Sequence, residues 1–398
     1  MLIVKKYGGT SVATPEKILD IAKHLKKLSE EGHKLIIIIS AMGDTTDDLV
    51  DLSRRITHTP IQREMDMLLS AGERISMALM SMALNSLGCS AISFTGSQSG
   101  VLTDGSHNSA RIIDIRPFRV EEELKKGRIV IIAGFQGVNP QTKEITTLGR
   151  GGSDTTAVAM AAQFKADRCD ILTDVRGIYT IDPRISGVVP KHLEKLDYAM
   201  TMEMAYWGAR VLHYRSVELA ERAQVPVLVH LSSEEGSGSL IETMEATHIQ
   251  AVNYNAQLAV LKFGKGFDLK ISLEAIEAGL THGKLSVPQI IYERGTENGR
   301  EIFITAPPEH FDSILASVSE WCKHHKKTPP TLETHLATVT LSGRGLVNSK
   351  ALFEASSTLS KNAIETEALI TTPLSITYVV ASSQVQNAAQ LLHKQFVG

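Results

Sequence analysis

The sequence predicts an α/β protein with a mainly parallel sheet, followed by two smaller α+β blocks. Residues 1–240 alternate short apolar runs with amphipathic stretches, the pattern of strands and helices in a parallel sheet layer. Residues 2–4, 35–39 and 129–133 are continuous apolar runs of strand length. Such runs suit strands that are buried on both faces. Beyond residue 240 the pattern weakens into two shorter groups of strands and helices.

The first elements are predicted to be a strand, a glycine turn, a helix and a second strand. Residues 15–28 carry apolar side chains at helical spacing. Thr14 suits the N-cap of that helix and Pro15 its first turn. Lys26 and Lys27 suit its last turn, where cations interact favourably with the helix dipole.

Apolar periodicity predicts further helices from about residue 63 into the eighties, at 154–164, at 311–323 and at 351–362. The polar, glycine-containing stretch 232–239 has nothing to bury and predicts a linker. We therefore divide the chain into a domain of residues 1–240 and two blocks, 241–328 and 329–398. The two blocks share an order of elements but no evident sequence identity.

Composition and charge exclude several classes of protein. The chain has 398 residues, 43% of them apolar, and a net charge of −3, which argues against a nucleic-acid partner. Its longest run of Ile, Leu or Val, 35–39, is far shorter than the roughly 20 residues of a membrane span. The apolar start, residues 1–4, is shorter than the core of a secretory signal. We predict a cytoplasmic protein without a membrane partner.

Cysteine and histidine patterns give no metal centre. The three cysteines are widely spaced, so they build neither a disulfide framework nor a four-ligand zinc site. The 14 histidines show no metal-ligand spacing joined to acidic partners. We therefore predict no metal ligands among the side chains.

The segment from Lys6 to Ser11 places a lysine and two glycines between a strand and a helix. Backbone amides of Gly8 and Gly9 can approach phosphate oxygens closely because glycine has no Cβ. Lys6 adds a full positive charge. The alternative is a tight strand-to-helix turn without a ligand.

A second glycine turn lies between Thr147 and Thr156. Arg150 offers a planar donor fork for a carboxylate or phosphate, and the following glycines, 151 and 152, allow close backbone approach. Ser153 or Asp154 is expected to cap the next helix. If both glycine turns face one ligand, Asp154 can instead hold cationic side chains around a transferring phosphoryl group.

Polar residues that follow the predicted strand 35–39 suit a small substrate, because ligands bind beyond the carboxyl ends of parallel strands. Ser40 and Thr45 lie there. Glu73 could pair with an amino group, although a helical glutamate is more often solvated. Residues 173–184 predict a strand end, a turn, a short strand and an Asp-Pro turn, which is either part of a nucleotide site or an ordinary hairpin.

Together these segments resemble the aspartate kinases of the amino acid kinase family. The matching stretches follow the family's order and are residues 6–12, 40–46, 71–74, 94–96, 133–137, 147–156 and 173–184. The resemblance implies a three-layer sandwich with a mainly parallel central sheet and two C-terminal ACT domains of βαββαβ order. It also implies ATP-dependent phosphorylation of the β-carboxylate of L-aspartate, the entry step to lysine, threonine and methionine, with Mg²⁺ bound to the nucleotide.

The resemblance also implies roles for individual residues. Lys6 would stabilise the phosphoryl group with help from Gly8 and Gly9, and Asp154 would orient the cationic groups. The residues implied to hold aspartate are Ser40, Thr45, Glu73, Arg150, Gly152 and Ser153. Those implied to line the ATP site are Thr173, Asp174, Tyr179, Asp182, Arg184 and Arg210.

Two departures from the family pattern bear on ligands. Arg210 stands where the family usually has a lysine that serves ATP, so the charge is kept but the geometry changes. The loops at 261–267 and 343–349 lack the Pro-Gly of many effector loops. We therefore expect weak feedback by lysine or threonine.

Two alternative functions remain open at this stage. One is a kinase for another acidic metabolite, such as glutamate or N-acetylglutamate. The other is a catalytically silent ACT subunit that senses amino acids. In each case ACT domains imply a homodimer or a higher oligomer.

Overall fold

The computed structural model describes residues 1–57, 59–185, 187–209, 212–232, 237–243, 249–282, 285, 288–343, 346 and 350–397. Contacts divide the chain into two compact units. The first unit contains Met1–Ile178, His192–Tyr206 and Arg210–Glu245. The second contains Tyr179–Lys191, Trp207–Ala209 and Ala246–Gly398.

Strands and helices alternate through the first half of the chain. In order they are β1 (Leu2–Tyr7), α1 (Pro15–Glu30), β2 (Lys34–Ile39), α2 (Thr45–Ile56), α3 (Gln62–Ser86), β3 (Ala91–Phe94), β4 (Val101–Thr103), β5 (Ile112–Ile115), α4 (Phe118–Lys125), β6 (Ile129–Ala133), β7 (Gln136–Val138), β8 (Ile145–Thr147), α5 (Gly152–Gln163) and β9 (Arg168–Thr173). A short 3₁₀ helix, Gly9–Val12, separates β1 from α1.

The remaining elements up to residue 241 are shorter. They are β10 (Ile178–Tyr179), β11 (His192–Leu193), β12 (Lys195–Leu196), α6 (Tyr198–Tyr206), α7 (Tyr214–Ala223), β13 (Val227–Leu231) and β14 (Gly238–Ile241).

An eight-stranded sheet organises the first unit. Its order is β12-β14-β13-β9-β1-β2-β6-β3, and every neighbouring pair is parallel except β13 with β14. The predicted strands 2–4, 35–39 and 129–133 are three adjacent strands of this sheet, none of them at an edge. The α/β class and the mainly parallel sheet are therefore confirmed. A smaller sheet, β5-β4-β7-β8, lies in the same unit.

Neighbouring lysines on β1 leave the strand in opposite directions, as the period of two requires. Lys5 is 1% exposed, and its Nζ lies 2.9 Å from Asp170 Oδ2 on β9. Burial raises the pKa of Asp170, but the charges of Lys5 and Arg168 outweigh this and hold it below its ordinary value. This buried pair joins two central strands and leaves Lys6 to point elsewhere.

Helix α1 confirms the local predictions at its start. The Thr14 side chain accepts a hydrogen bond from the Lys17 backbone N–H, and Pro15 occupies the first helical position. Lys27 lies in the last turn. The helix buries its apolar face, which includes Ile18, Ala22 and Leu25, in the core of the first unit.

Helix α3 is, among the described residues, long and apolar enough to cross a membrane by length and composition alone. Two of its ionisable residues, Asp66 and Glu73, are buried, at 0% and 4% exposed. Its buried face also includes Met80 and Leu84, which belong to the apolar core of the first unit. These contacts are those of a core helix.

The second unit contains one continuous antiparallel sheet. Its elements after residue 248 are β15 (Ile249–Phe263), α8 (Leu269–His282), β16 (Gln289–Thr296), β17 (Gly299–Thr305), α9 (Phe311–His324), β18 (Thr331–Gly343), α10 (Ala351–Lys361), β19 (Ala368–Thr372), β20 (Ser375–Ala381) and α11 (Val385–Phe396). Short 3₁₀ turns, Pro308–His310 and Ser382–Gln384, precede α9 and α11.

Each half of this unit has the order strand, helix, strand, strand, helix. The sheet order is β16-β17-β15-β18-β20-β19, so the long strands β15 and β18 pair at its centre. One apolar core lies with α8 and α9, and a second lies with α10 and α11. This β-rich architecture is consistent with the ACT prediction, although among the described residues each half ends with its helix and lacks the last strand of the expected βαββαβ order.

The segment Tyr179–Lys191 belongs to the second unit although it follows β9 directly in sequence. Ile181 and Ile185, exposed by 1% and 5%, lie in the same core as Val252 and Leu359. The domain boundaries at residues 240 and 328 remain a prediction. The contacts show in addition that the segment Tyr179–Lys191, which lies within the predicted first domain, packs in the second unit.

The predicted linker 232–239 is wrong at its C-terminal end. Gly238 and Ser239 begin β14, which pairs with β13. Ser239 is fully buried, and two hydrogen bonds satisfy its hydroxyl group. Its Oγ accepts from the Ile178 N–H at 2.8 Å and donates to the Leu193 carbonyl at 2.5 Å. Residues 233–236 lie outside the described residues.

Candidate active site

The two predicted anion-binding turns converge. Lys6, at the end of β1, places its Nζ 2.6 Å from Oδ1 of Asp154, in the first turn of α5. The two side chains are only 14% and 11% exposed. A charge pair at this depth is weakly screened by water, so it can act strongly on a ligand that binds beside it.

The glycine turn after β1 is packed against the loop after β2. The Gly43 N–H donates to the Gly9 carbonyl at 3.0 Å, and a Cβ on Gly9 would lie 2.9 Å from the Ala41 carbonyl oxygen. A larger residue at position 9 would therefore force the two loops apart. The neighbouring Gly8 N–H donates to the Leu172 carbonyl at 3.3 Å, which joins this turn to the end of β9.

The Arg150 turn is formed by two glycines with left-handed backbone. Gly149 has φ +75° and Gly151 has φ +72°, a region that other residues occupy only with strain. Gly151 is the N-cap of α5, without a side-chain hydrogen bond. The expectation that Ser153 or Asp154 caps this helix is therefore wrong, because the helix already begins at Gly152 and Asp154 pairs with Lys6.

Residues 133–137 pack closely against the residues that follow the Arg150 turn. A Cβ on Gly134 would lie 2.8 Å from Ser153 Oγ, and one on Gly152 would lie 2.9 Å from the Phe135 ring. Phe135 itself has φ +67°, which is unusual for an aromatic residue. Its N–H donates to Thr156 Oγ1 at 3.2 Å, and its carbonyl accepts from the Leu148 N–H at 2.8 Å.

Glu73 is buried, contrary to the solvated alternative. Its Oε1 accepts from the Ala41 N–H at 3.2 Å, while its Oε2 has no hydrogen-bond partner among the described residues. Burial raises the pKa of Glu73 to about 7. Such a carboxyl group is poised to ionise when a cationic group, for example an ammonium, binds beside it.

Ser40 and Thr45 lie in the loop that Glu73 contacts. The Ser40 N–H donates to the Tyr7 carbonyl at 3.1 Å, and its carbonyl accepts from Ser76 Oγ at 2.7 Å. Thr45 Oγ1 donates to the Met42 carbonyl at 2.6 Å. The loop is thus held both by β1 and by α3.

Thr173 and Asp174 follow β9 at the same edge of the sheet. Thr173 Oγ1 donates to Asp174 Oδ1 at 3.0 Å, and the Thr173 carbonyl accepts from the Ser232 N–H at 3.1 Å. Because Gly8 bonds to Leu172, these two residues lie beside the first glycine turn. The structure therefore brings them into the same region as Lys6.

The other residues predicted for ATP are placed differently. Tyr179, Asp182 and Arg184 lie in the second unit, where Arg184 makes a two-pronged ion pair with Asp182 at 3.0 and 2.8 Å. Arg210 lies outside the described residues.

Sequence reasoning missed His213 as a neighbour of the Arg150 turn. A Cβ on Gly151 would lie 2.3 Å from the His213 Cβ and 2.8 Å from its Cγ, so the histidine occupies the space of a side chain at position 151. Its Nδ1 accepts from the Arg215 N–H at 3.3 Å. Burial, assisted by the charge of Arg215, lowers the pKa of His213 to about 4. A neutral imidazole therefore faces this turn at pH 7.

Comparison with known proteins identifies the family of this chain. The amino acid kinase family profile matches residues 1–230. The chain is 37% identical to the aspartokinase of Mycolicibacterium smegmatis, with 99% and 96% of the two chains covered. It is 39% identical to aspartokinase 2 of Bacillus subtilis, with 99% and 97% covered. The structure of E. coli aspartokinase III in complex with aspartate and ADP has a TM-score of 0.80 at 22% identity, with 99% of each chain covered.

The family profile covers more than half of the chain, and both relatives match it over nearly its whole length. These findings confirm the resemblance that the sequence motifs indicated. The chain therefore belongs to the amino acid kinase family and, within it, to the aspartokinases.

Proposed function

We propose that this protein transfers the γ-phosphoryl group of ATP to the β-carboxylate of L-aspartate, giving 4-phospho-L-aspartate and ADP. The observation that carries this proposal is the 2.6 Å pair between Lys6 and Asp154 at the meeting point of two glycine turns. One bond forms between a carboxylate oxygen and phosphorus, and the bond between phosphorus and the ADP oxygen breaks. The acceptor carboxylate is already ionised at pH 7, so the reaction needs no general base.

Aspartate offers two carboxylates and one ammonium, and the site offers a complementary set of groups. The guanidinium of Arg150 suits a bidentate contact with a carboxylate. The buried Glu73 suits the ammonium, because a cation beside it would favour its ionised form. Hydroxyl groups come from Ser40 after β2 and from Thr45 and Ser153 in the first turns of α2 and α5. Gly152 lets the backbone approach.

Charge stabilisation by preorganised groups accounts for catalysis. Lys6 would contact the phosphoryl oxygens in the transition state and the Gly9 amide would donate to them, while Gly8, whose N–H bonds to Leu172, would let the backbone approach. Asp154 would hold the Lys6 ammonium in place, since a lysine side chain is otherwise free to rotate. A neutral His213 would add no repulsive charge to the Arg150 turn.

For the nucleotide, we propose that Thr173, Asp174, Tyr179, Asp182, Arg184 and Arg210 line the ATP site. Within the described part of the chain, no group of three or more His, Cys, Asp or Glu side chains has the arrangement of a metal site. That fits Mg²⁺ held chiefly by the nucleotide phosphates and water, its usual mode in kinases. When bound there, the ion neutralises phosphate charge.

We also propose a role in regulation and assembly for the second unit. The β-rich second unit suits amino-acid effectors and pairing of two copies into a homodimer or a larger assembly. Because the loops at 261–267 and 343–349 lack Pro-Gly, we expect little inhibition by lysine or threonine alone. Strong inhibition at micromolar effector in a dose-response assay would contradict this. Dependence on ATP and free amino acids suits the cytoplasm.

A coupled assay of ADP release tests the reaction and its alternatives. We expect turnover with L-aspartate and little with L-glutamate or N-acetylglutamate, and we expect hydroxylamine to trap an acyl phosphate. Preference for another acid would assign a different substrate. Binding of amino acids without any acceptor-dependent ADP release would favour the silent sensor. Asp154→Asn is the control that separates turnover from a contaminating ATPase.

A further inference from the structure

A buried carboxylate on α3, Asp66, has three hydrogen-bonding partners from other segments. It is 0% exposed. Its Oδ1 accepts from the Asn108 N–H at 3.0 Å and from Thr147 Oγ1 at 2.5 Å. Its Oδ2 lies 2.5 Å from His107 Nδ1. Burial raises the pKa of Asp66, while these bonds oppose the shift.

These partners form the base of the Arg150 turn. Thr147 ends β8 and precedes Arg150 by three residues, and its carbonyl accepts from the Ala110 N–H at 2.9 Å. A Cβ on Gly149 would lie 2.8 Å from the Asn108 carbonyl oxygen, so the 107–110 loop packs closely against the turn itself. His107 Nε2 also lies 3.5 Å from Glu144 Oε2. Asp66 thus joins both segments that shape the turn.

The same helix holds the other side of the proposed aspartate site. Glu73 follows Asp66 by seven residues, which places it on nearly the same helix face about 10 Å further along. Glu73 bonds to Ala41, and Ser76 bonds to Ser40. Helix α3 therefore contacts the Ser40 loop near its middle and the Arg150 turn one heptad earlier.

We infer that Asp66 is a positioning residue for aspartate: through Thr147 and Asn108 it sets the Arg150 turn at a fixed distance from Glu73. This inference rests on the proposed function. A buried carboxylate is costly unless its oxygens are bonded, and here its bonds connect α3 to the turn rather than to its own helix. Removing them is expected to loosen the turn and weaken aspartate binding without affecting the nucleotide.

Two adjacent threonines on β8 provide a matched test. Thr147 and Thr146 are both 0% exposed, but Thr146 Oγ1 bonds to Thr103 Oγ1 at 2.6 Å on the opposite face of the strand. We expect Thr147→Val to raise the KM for L-aspartate about tenfold or more and to change the KM for ATP less than twofold. Thr146→Val should lower Tm similarly and leave both KM values within twofold.

Conservative variants keep the test decisive. Thr147→Ser retains the hydroxyl and should restore the KM for L-aspartate. Asp66→Asn retains one acceptor oxygen and should fall between the wild type and Asp66→Ala; if Asp66→Ala does not fold, the threonine pair decides. Equal effects of Thr147→Val and Thr146→Val, or an unchanged KM in Thr147→Val, would overturn the inference.

Hydrogen exchange separates this inference from the proposed function. Thr147→Val should speed amide exchange in residues 148–151, and Thr146→Val should not. If the wild type shows no aspartate-dependent ADP release, the proposed function fails, while the exchange result still tests whether Asp66 and Thr147 hold the turn. Unchanged exchange together with normal wild-type turnover would reject only the positioning role.

Discussion

The residues proposed for aspartate and those proposed for ATP are held in different ways. The aspartate residues lie in the first unit, on loops that buried polar contacts join: Glu73 to Ala41, Asp66 to Thr147, and Lys6 to Asp154. Three of the proposed ATP residues lie on Tyr179–Lys191, in the second unit. The residues from β9 to Arg184 are therefore continuous in sequence but belong to two different compact units.

The second region is anchored mainly by apolar burial. Ile181 and Ile185 lie in the core beside α10 and α11. Polar bonds supplement this burial: Thr180 Oγ1 lies 2.8 Å from His393 Nε2, and the Val252 N–H donates to the Thr180 carbonyl at 2.7 Å. Hydrogen bonds and ion pairs fix the orientation of the groups they join, whereas apolar packing tolerates small shifts of the packed side chains. The two regions should therefore respond differently to mutation.

The largest effect is expected from Lys6→Ala. Loss of the ammonium removes transition-state charge stabilisation, so kcat should fall about 10³-fold, while far-UV circular dichroism and assembly stay unchanged. Lys17→Ala is the control, because Lys17 is a lysine of α1 whose ammonium bonds to the Thr10 carbonyl. If kcat survives in Lys6→Ala, Lys6 is not part of the mechanism.

The second-largest loss of activity is expected from Gly151→Ala. The new Cβ would meet His213 and would also require φ +72°, so we expect at least a tenfold loss of kcat/KM for L-aspartate and a lower Tm. Gly32→Ala isolates the backbone strain, since φ there is +88° with open space around it; it should cost about 1 kcal/mol and leave kinetics intact. If Gly151→Ala and Gly32→Ala lose the same amount of activity, the clash with His213 is not the cause of the loss.

Glu73 predicts a pH dependence of stability in the unliganded protein. Its folded pKa of about 7 lies above the ordinary value of 4.5, so the folded state binds the extra proton. Its stabilising contribution is complete below pH 4.5 and is lost as pH rises through about 7, to the extent of roughly 3 kcal/mol. Urea unfolding of wild type and Glu73→Gln across this range should show the slope only in the wild type.

Glu73 should also make aspartate binding improve with pH. Ionised Glu73 attracts the substrate ammonium, so the KM for L-aspartate should fall between pH 6 and 8 in the wild type. Glu73→Gln should flatten this profile and raise the KM about tenfold at pH 8. Glu64→Gln, an exposed position on the same helix, should behave as the wild type. A pH profile that persists in Glu73→Gln would assign it to another group.

The smallest effect tests the second region. Ile181→Ala removes a side chain that is 1% exposed and should raise the KM for ATP about threefold while leaving that for L-aspartate unchanged. Leu359→Ala lies in the same core but on α10 and should match its loss of Tm. If the two variants change the KM for ATP equally, the segment has no special link to the nucleotide.

Local pattern predicted more of the fold than of the site. Helix α1 begins at Pro15 with Thr14 as its cap, and β6 spans Ile129–Ala133, both as expected. The cap of α5 was missed, because Gly151 takes a left-handed conformation that its neighbours impose. No local motif in the sequence indicates His213, because its place in the site arises from packing against Gly151, which is distant in sequence.

The sequence by itself determined the mainly parallel α/β order and the family, because apolar periodicity and glycine motifs are local properties of the chain. Only the tertiary structure decided that Glu73 is buried, that Asp66 bonds to Asn108 and Thr147, and that residues 179–191 join the second unit. Those outcomes depend on which distant side chains exclude water from one another. Burial and desolvation are properties of the packed whole, and no spacing along the chain encodes them.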